Sequence, residues 1–349
     1  MPAIYLTQPG SQLSAKRQYF VIGTRTPISR PIAAKMVSQI ALFGNCHLTC
    51  EAETLARSHD IPVLLFDDRA QFAGRSYLPR SCQHWQQIDL SENRERYREL
   101  AESFLRAKIH NSSVVLRKLV GLGATPAITA TQRILKVLED EVLAAPSLEV
   151  LRGYSATATA YYDRALEEWL ARTLLFQYAK ALHLPAAPFP YSPFQLLRVG
   201  EVLLHQTLDN FAREVGVDPA LGYLHTSDEC EFPLICDWVA EFRPVLVDDL
   251  VVEFSIAPVP QVEARECRSQ MLLEAFLDRW EQRLRTIALT PMVRGDLTYR
   301  QCLQHQVRQY VQVLLGDLEY YRPFLVRPSD LPARHWVVNP SEASVAVGG

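Results

Sequence analysis

The hydrophobic pattern of this 349-residue chain changes its period near residue 90, which divides the fold into two parts. Before that point, short apolar and β-branched runs alternate with turn signals such as Pro9-Gly10. Strand-like runs cover residues 4–7, 18–23, 40–49 and 61–66, another short strand starts at residue 72, and a helical stretch covers residues 51–58. From Ser91, read as a helix N-cap, apolar residues recur at helical spacing. The sequence therefore predicts an α+β chain.

We expect three segments. Residues 1–85 form a small β-rich domain, residues 86–327 a larger helical domain, and residues 328–349 a loose tail. Prolines at 185, 188, 190 and 193 interrupt the helical pattern and indicate a rigid connector, after which helices resume at Leu196, near Pro233 and near Gln270.

Composition excludes several classes of protein. The chain has 36 Lys and Arg against 39 Asp and Glu, so any polyanion must be met by a local basic surface. No run approaches the length of a membrane span, and the first residues lack the pattern of a secretory signal. We therefore expect a cytoplasmic protein whose seven cysteines are free thiols.

The chain contains only incomplete matches to common nucleotide-binding, catalytic and zinc-binding motifs. Gly121 and Gly123 begin a G-x-G-x-x-G pattern, but Pro126 replaces the third glycine. Ser155 follows Gly153 as in a nucleophile elbow, yet the second glycine is absent and the surroundings are helical. Cys46, His47 and Cys50 lack a second pair of ligands for structural zinc.

Two helical stretches are locally basic. Residues 94–118 hold seven basic residues against three acids, and residues 279–308 hold six against two. Such faces can lie along a phosphate backbone, and the alternatives are a solvated helix surface or, for Arg152, a buried ion pair or helix cap. The DNA-binding candidates are Arg94, Arg98, Lys108, Arg117, Lys118, Arg152 and Arg283.

Two segments carry a family resemblance. The run Gly216-Val-Asp-Pro-Ala-Leu-Gly-Tyr-Leu-His225, followed by Asp237-Trp-Val-Ala-Glu-Phe-Arg-Pro244, resembles the signature of the CRISPR-associated integrase/endonuclease of spacer acquisition, the first-numbered Cas family. Supporting matches include Ala107-Lys108-Ile109 with Asn111, Leu151-Arg152-Gly153 and Tyr321-Arg322-Pro323-Phe324. The resemblance implies a homodimer that forms through the β-rich domain (1–85) and a helical domain of DNA-binding or catalytic type (86–327). It also implies assembly with the small second-numbered Cas protein and insertion of DNA fragments into a repeat array.

The resemblance also implies a divalent metal, Mg²⁺ or Mn²⁺, held by two acidic residues and a histidine. Mapped onto this chain, the three positions are Ser155, His225 and Ala240. A hard cation that prefers oxygen ligands is poorly held by one imidazole and a neutral hydroxyl. Asp237, about 60° around a helix from position 240, is a better substitute ligand than Glu241 at about 100°. His225 is then either the remaining ligand and catalytic residue or a structural remnant.

Three hypotheses follow. The first is an adaptation integrase homologue that binds DNA as a dimer and whose metal-dependent endonuclease and strand-transfer activity is lost or weakened. The second is an active endonuclease or integrase with relocated ligands such as Asp237. The third is a non-catalytic scaffold for a paralogue.

Overall fold

A computed structural model describes residues 3–23, 31–67, 69–75, 84–181, 192–257, 265–288 and 296–327. The strands precede every α-helix but one, as the sequence pattern predicts. The pattern did not indicate the strands at residues 12–16 and 32–33, and it gave residues 40–49 as one strand where the structure has two. The strands are β1 (Ala3–Leu6), β2 (Gln12–Lys16), β3 (Tyr19–Gly23), β4 (Ile32–Ala33), β5 (Gln39–Phe43), β6 (His47–Leu48), β7 (Val63–Phe66) and β8 (Phe72–Arg75). The α+β class is confirmed.

The helices make up most of the described chain. They are α1 (Cys50–Ser58), α2 (His84–Glu92), α3 (Arg94–Gly123), α4 (Pro126–Glu141), α5 (Leu148–Leu170), α6 (Leu174–Ala181), α7 (Pro193–Val215), α8 (Pro233–Arg243), α9 (Asp249–Ile256), α10 (Arg265–Arg285) and α11 (Tyr299–Leu315). A π-helical turn, Pro244–Asp248, joins α8 to α9. No helix in these ranges is long and apolar enough to span a bilayer.

Two four-stranded sheets build the N-terminal part. The first has the order β1-β5-β7-β8, in which β1, β5 and β7 run parallel and β8 is antiparallel. The second has the order β4-β3-β2-β6. Because successive side chains of a strand point to opposite faces, β5 is buried on both of its faces. Ile40 and Leu42 pack into the core between the sheets and α1, whereas Ala41 and Phe43 join the large core of the helical part.

Polar contacts also connect the two parts. The Tyr5 hydroxyl donates to Glu281 and the Thr7 hydroxyl donates to Glu274, each over 2.9 Å, so β1 is fastened to α10. On the other side, the Asn210 amide of α7 donates to the Ser38 carbonyl. The boundaries at 85/86 and 327/328 stay predictions, and the tail and residues 182–191 of the expected connector lie outside the described residues.

The start of the helical part differs from the prediction. Ser91 lies within α2, a helix that the sequence pattern did not indicate, and the long helix α3 begins at Arg94. Its N-cap is Asn93, whose side-chain oxygen accepts a hydrogen bond from the Arg96 backbone N–H. Both residues are good N-caps, so the short sequence signal does not distinguish them.

The cysteine prediction is also corrected. Cys230, in the loop after His225, and Cys236, in the first half of α8, are paired as a disulfide. Among the described side chains, Cys46, Cys50 and Cys302 are free thiols.

Candidate functional site

A cavity of roughly 230 Å³ lies among α3, α5, α7 and α8. Charged side chains from each of these helices reach it, and so does a histidine from the loop before α8. The charged residues that line it are Lys108, Asp163, Glu201, Arg243 and Asp248, and His225 and Ala240 line it too. The fold thus brings His225 and position 240 to one cavity.

The loop that carries His225 is fixed by its backbone. Gly222 approaches Pro233 so closely that a Cβ would lie 2.4 Å from the proline Cβ, which explains the glycine of the signature. The Tyr97 hydroxyl donates to the Gly222 carbonyl over 2.6 Å. Arg152 donates to the carbonyls of the two residues that precede His225. Arg152 therefore stabilises the loop.

Asp237 holds the same loop from the opposite side. This buried carboxylate accepts hydrogen bonds from the backbone N–H groups of Tyr223, Leu224 and His225, at 2.7, 3.3 and 2.9 Å. Its Oδ1 also lies 2.8 Å from Nδ1 of the His225 ring. A carboxylate can only accept, so the ring donates from Nδ1, and Nε2 of the neutral ring carries the lone pair.

These contacts give Asp237 a positioning role. Both of its oxygens are occupied by N–H donors, and it does not line the cavity. The angular separation around the helix placed Asp237 nearer to position 240 than it placed Glu241. It could not predict that N–H groups of the His225 loop donate to both carboxylate oxygens of Asp237. Asp237 is arranged as the partner that orients His225, the role that carboxylates often have behind a functional histidine.

Glu241 faces another segment. It accepts hydrogen bonds from the Phe324 backbone N–H, the Gln306 amide and the Tyr321 hydroxyl. Burial raises the pKa of Glu241 to about 7, against these hydrogen bonds, which lower it. Glu241 therefore anchors the C-terminal segment rather than the cavity.

Ser155 lies in α5 and is buried. The Lys108 ammonium donates to its hydroxyl over 2.8 Å and to its carbonyl over 3.3 Å. Burial, and then the positive charge of Arg243, lower the pKa of Lys108 to about 8. The hydroxyl at the first expected ligand position is therefore already in contact with a cationic side chain.

Acidic residues that the sequence reasoning missed line the cavity beside Arg243. The Arg243 guanidinium lies 2.9 Å from Asp163 and 3.3 Å from Asp248. Burial raises the pKa of Asp248 to about 7, although the charge of Arg243 lowers it. Asp163 follows Ser155 by eight residues, about two helical turns, so the spacing in α5 could have indicated it.

A family model described as "CRISPR associated protein Cas1" matches residues 4–257, more than half of the chain. The chain belongs to the Cas1 family. It is 28% identical over 345 residues to CRISPR-associated endonuclease Cas1 3 of Thermus thermophilus, covering 93% of this chain and 95% of that protein. It is 22% identical over 328 residues to CRISPR-associated endonuclease Cas1 of Thermotoga maritima, covering 91% and 98%.

Solved structures agree with the Cas1 fold. A CAS1 protein from Thermotoga maritima superposes with a TM-score of 0.68 at 19% identity, over 92% of this chain and 99% of that one. A casposase bound to an integration product superposes with a TM-score of 0.69 at 15% identity, over 99% of both chains.

The donors present do not fit the divalent metal that the Cas1 resemblance implies. Position 155 offers a hydroxyl bonded to an ammonium, position 240 offers a methyl group, and His225 offers one nitrogen. Mg²⁺ and Mn²⁺ prefer oxygen ligands with charge, which these positions lack. Within the described ranges, no group of three or more His, Cys, Asp or Glu side chains is placed to hold a metal.

The seven basic candidates for DNA binding in this Cas1 chain separate by exposure. Arg94 and Arg117 are exposed, and the side chain of Arg98 is 40% exposed at 4.0 Å from Glu102. Lys108 donates hydrogen bonds to Ser155, and Arg152 donates to the carbonyls of Tyr223 and Leu224.

Lys118 and Arg283 face inward instead. Both make ion pairs with Asp249 and Glu253 at 2.5–2.9 Å, and the Arg283 side chain is only 7% exposed. This pairing neutralises Asp249, whose carboxylate would otherwise be costly to bury, and the partly exposed Glu253, so both cations have a structural role. Their charge was visible in the sequence, but their partners, 30 or more residues away, were not.

Proposed function

We propose that this Cas1-family chain acts in CRISPR spacer acquisition as a DNA-binding homodimer without metal-dependent endonuclease or strand-transfer activity. One observation carries the proposal: the hydroxyl of Ser155 at the first ligand position is bonded to Lys108, and Ala240 at the third offers no donor. Charge developing on an attacked phosphodiester needs a cation to neutralise it, and His225 without acidic residues at positions 155 and 240 is a poor ligand set, since Asp163 and Asp248 of the same cavity pair with Arg243.

The support for DNA and protein partners comes from the family. One solved neighbour is titled a Cas6-RT-Cas1–Cas2 complex, with a TM-score of 0.71 at 17% identity over 94% of this chain and 36% of that one. Another is the casposase bound to an integration product. We propose that this chain likewise assembles with a small Cas2-type partner in the cytoplasm and holds DNA on the exposed arginines of α3. Arg94, Arg98 and Arg117 are the residues that we assign to this contact.

Relocated ligands are disfavoured by the hydrogen bonds of Asp237. To coordinate a metal in the cavity, its carboxylate would have to release N–H groups of the His225 loop, and unpaired buried N–H groups are costly.

A nuclease assay tests the proposal. Purified protein is incubated with branched and linear DNA and Mn²⁺, with an EDTA control and with His225→Ala as the matched variant. We expect no cleavage above background in any reaction. Robust cleavage that both EDTA and His225→Ala abolish would contradict the proposal and favour an active enzyme.

A further inference from the structure

The Cys230–Cys236 disulfide connects the two parts of the chain that flank His225 and its carboxylate partner. Cys230 belongs to the segment 226–231, which follows His225, and Cys236 lies in α8 immediately before Asp237. Cys236 also lines the cavity that His225 lines. The bond therefore joins the segment after the histidine to the helix that orients the histidine ring.

The hydrogen bonds of the segment 226–231 do not reach α8. The Thr226 N–H donates to the Glu229 carboxylate, and the N–H groups of Glu229 and Cys230 donate to the Thr226 carbonyl, at distances of 3.0–3.2 Å. Within the part of the chain that the structure describes, these bonds close a local turn and all stay inside the segment. Apart from the chain itself, the disulfide is the bond that fastens this turn to the helix.

The residues before the segment are held in a different way. The N–H groups of Tyr223, Leu224 and His225 donate to the Asp237 carboxylate, and these bonds do not involve a cysteine. Opening of the disulfide should therefore affect residues 226–231 and leave residues 223–225 in place.

The position of the pair suits reversible chemistry. Both cysteines are half-buried, so a thiol in solution can reach their sulfurs. Disulfides that form in a reducing cytoplasm, the compartment proposed above, are mostly transient and serve catalysis or redox sensing. A bond between a surface turn and the wall of a cavity belongs to this second kind rather than to the kind that staples a small secreted domain.

We propose that Cys230 and Cys236 form a reversible dithiol–disulfide site that a dithiol reductant opens, and that opening releases the segment 226–231 from α8. A thiolate of the reductant attacks one sulfur, forms a mixed disulfide and displaces the other cysteine as a thiolate, which takes up a proton. The second thiol of the reductant then displaces the remaining cysteine. The reductant leaves as a disulfide, and the two cysteines together gain two electrons and two protons. This site needs neither DNA nor a metal, so it goes beyond the proposed function.

Thiol trapping measures the opening. The full chain is equilibrated in EDTA at several ratios of reduced to oxidised dithiothreitol, its free thiols are alkylated, and the peptides are quantified by mass spectrometry. We expect Cys230 and Cys236 to be protected together in oxidising buffer and alkylated together in reducing buffer. The exposed free thiol of Cys50 should be alkylated at every ratio. A pair that never forms, or that stays closed in an excess of reduced dithiothreitol, overturns the proposal.

Hydrogen exchange measures the release. Reduction should raise the exchange rates of the amides in 226–231 at least about tenfold, because a segment that opens locally loses its protection. The rates of residues 223–225 should not change, since Asp237 still accepts from them. Cys230→Ser in oxidising buffer should exchange like the reduced chain and should not respond to dithiothreitol. Cys50→Ser should respond as the unaltered chain does.

The same measurements can refute the release. Unchanged exchange in 226–231 after the pair has opened would show that the bond does not hold the segment. A response to dithiothreitol that persists in Cys230→Ser would assign it to another thiol, and Cys236→Ser gives the same comparison from the helix if the first variant does not fold. Neither DNA nor a metal enters these experiments, so a failure of the proposed function would leave their outcome standing.

Discussion

Asp237 positions His225 but does not itself line the cavity. Its carboxylate organises three consecutive backbone N–H groups and the ring of His225. Asp237 therefore sets the geometry of His225, while the other two positions at which the resemblance implies metal ligands hold Ser155 and Ala240.

The first prediction concerns this carboxylate. Asp237→Asn replaces one acceptor oxygen by an amide group that faces an N–H donor, so a buried donor loses its partner. We expect a loss of about 2–4 kcal/mol in the free energy of unfolding, measured by urea denaturation. Asp228→Asn, at an exposed position of the same loop, should change it by less than about 0.5 kcal/mol. Equal stability of the two variants would contradict the positioning role.

The second prediction restores the two acidic positions. Ser155→Glu together with Ala240→Glu should create Mn²⁺ affinity that calorimetry detects, because two carboxylates and His225 then supply three ligands. Neither single variant should bind Mn²⁺ comparably. Absence of a gain in the double variant would mean that a glutamate at position 155 does not reach the cavity that His225 and position 240 line.

At the scale of elements, α8 contacts both the His225 loop and the segment that follows α11, through two residues, Asp237 and Glu241, that lie one helical turn apart. Asp237 supports the His225 loop, and one turn later Glu241 holds the segment that follows α11. Asn111 of α3 fastens the same segment through the Phe324 carbonyl and the Val326 N–H. Helix α8 therefore couples the cavity to the C-terminal segment.

The third prediction is a pH dependence. The pKa of Glu241 is raised from 4.5 to about 7, so between these values the folded chain binds a proton that the unfolded chain has released. The contribution of Glu241 is fully present below pH 4.5 and is lost as pH rises towards 7, at up to about 1.4 kcal/mol per pH unit.

Unfolding measured from pH 4.5 to 7.5 checks this sign. Glu241→Gln should make the slope of stability against pH less negative, while Asp248, whose pKa is also about 7, keeps a part of the same trend. Glu319→Gln, at an exposed glutamate, is the control. Identical slopes for the Glu241 and Glu319 variants would refute the assignment.

Local sequence patterns were enough to predict the type and approximate position of several of these elements. The order of strands before helices, the position of α1 and the helices near Leu196, Pro233 and Gln270 follow from periodicity and prolines. Helix α2 was missed because its apolar residues have no clear helical face. The partners of Lys118 and Arg283 depend on how α3, α9 and α10 pack, which no local pattern contains.

At the scale of the whole molecule, the fold is that of Cas1. Two of the three positions at which the resemblance implies metal ligands, 155 and 240, hold Ser and Ala instead of acidic residues. His225 and position 240 could be found from the signature, since both lie close to it in sequence. Lys108, Asp163 and Asp248 meet only through the packing of α3, α5 and the turn after α8, so the charge balance of the cavity could not be read in advance.

The fourth prediction concerns DNA. If Arg94, Arg98 and Arg117 contact phosphates, replacing all three by alanine should lower the slope of log K against log salt concentration by about two to three, since each phosphate contact contributes about 0.9. Arg57→Ala in α1, at a side chain that is 61% exposed, should leave the slope unchanged. Fluorescence anisotropy at several salt concentrations measures both, and an unchanged slope in the triple variant would place the contact elsewhere.

The fifth prediction addresses the proposal that the described cavity does not hold a divalent metal. Crystals of the unaltered protein soaked in Mn²⁺ and measured at a wavelength where manganese scatters anomalously report directly on the cavity. We predict no ordered anomalous peak beside His225. A manganese peak bound to the His225 ring together with oxygens of Asp163, Asp237 or Asp248 would contradict the account and make this chain an active metal enzyme.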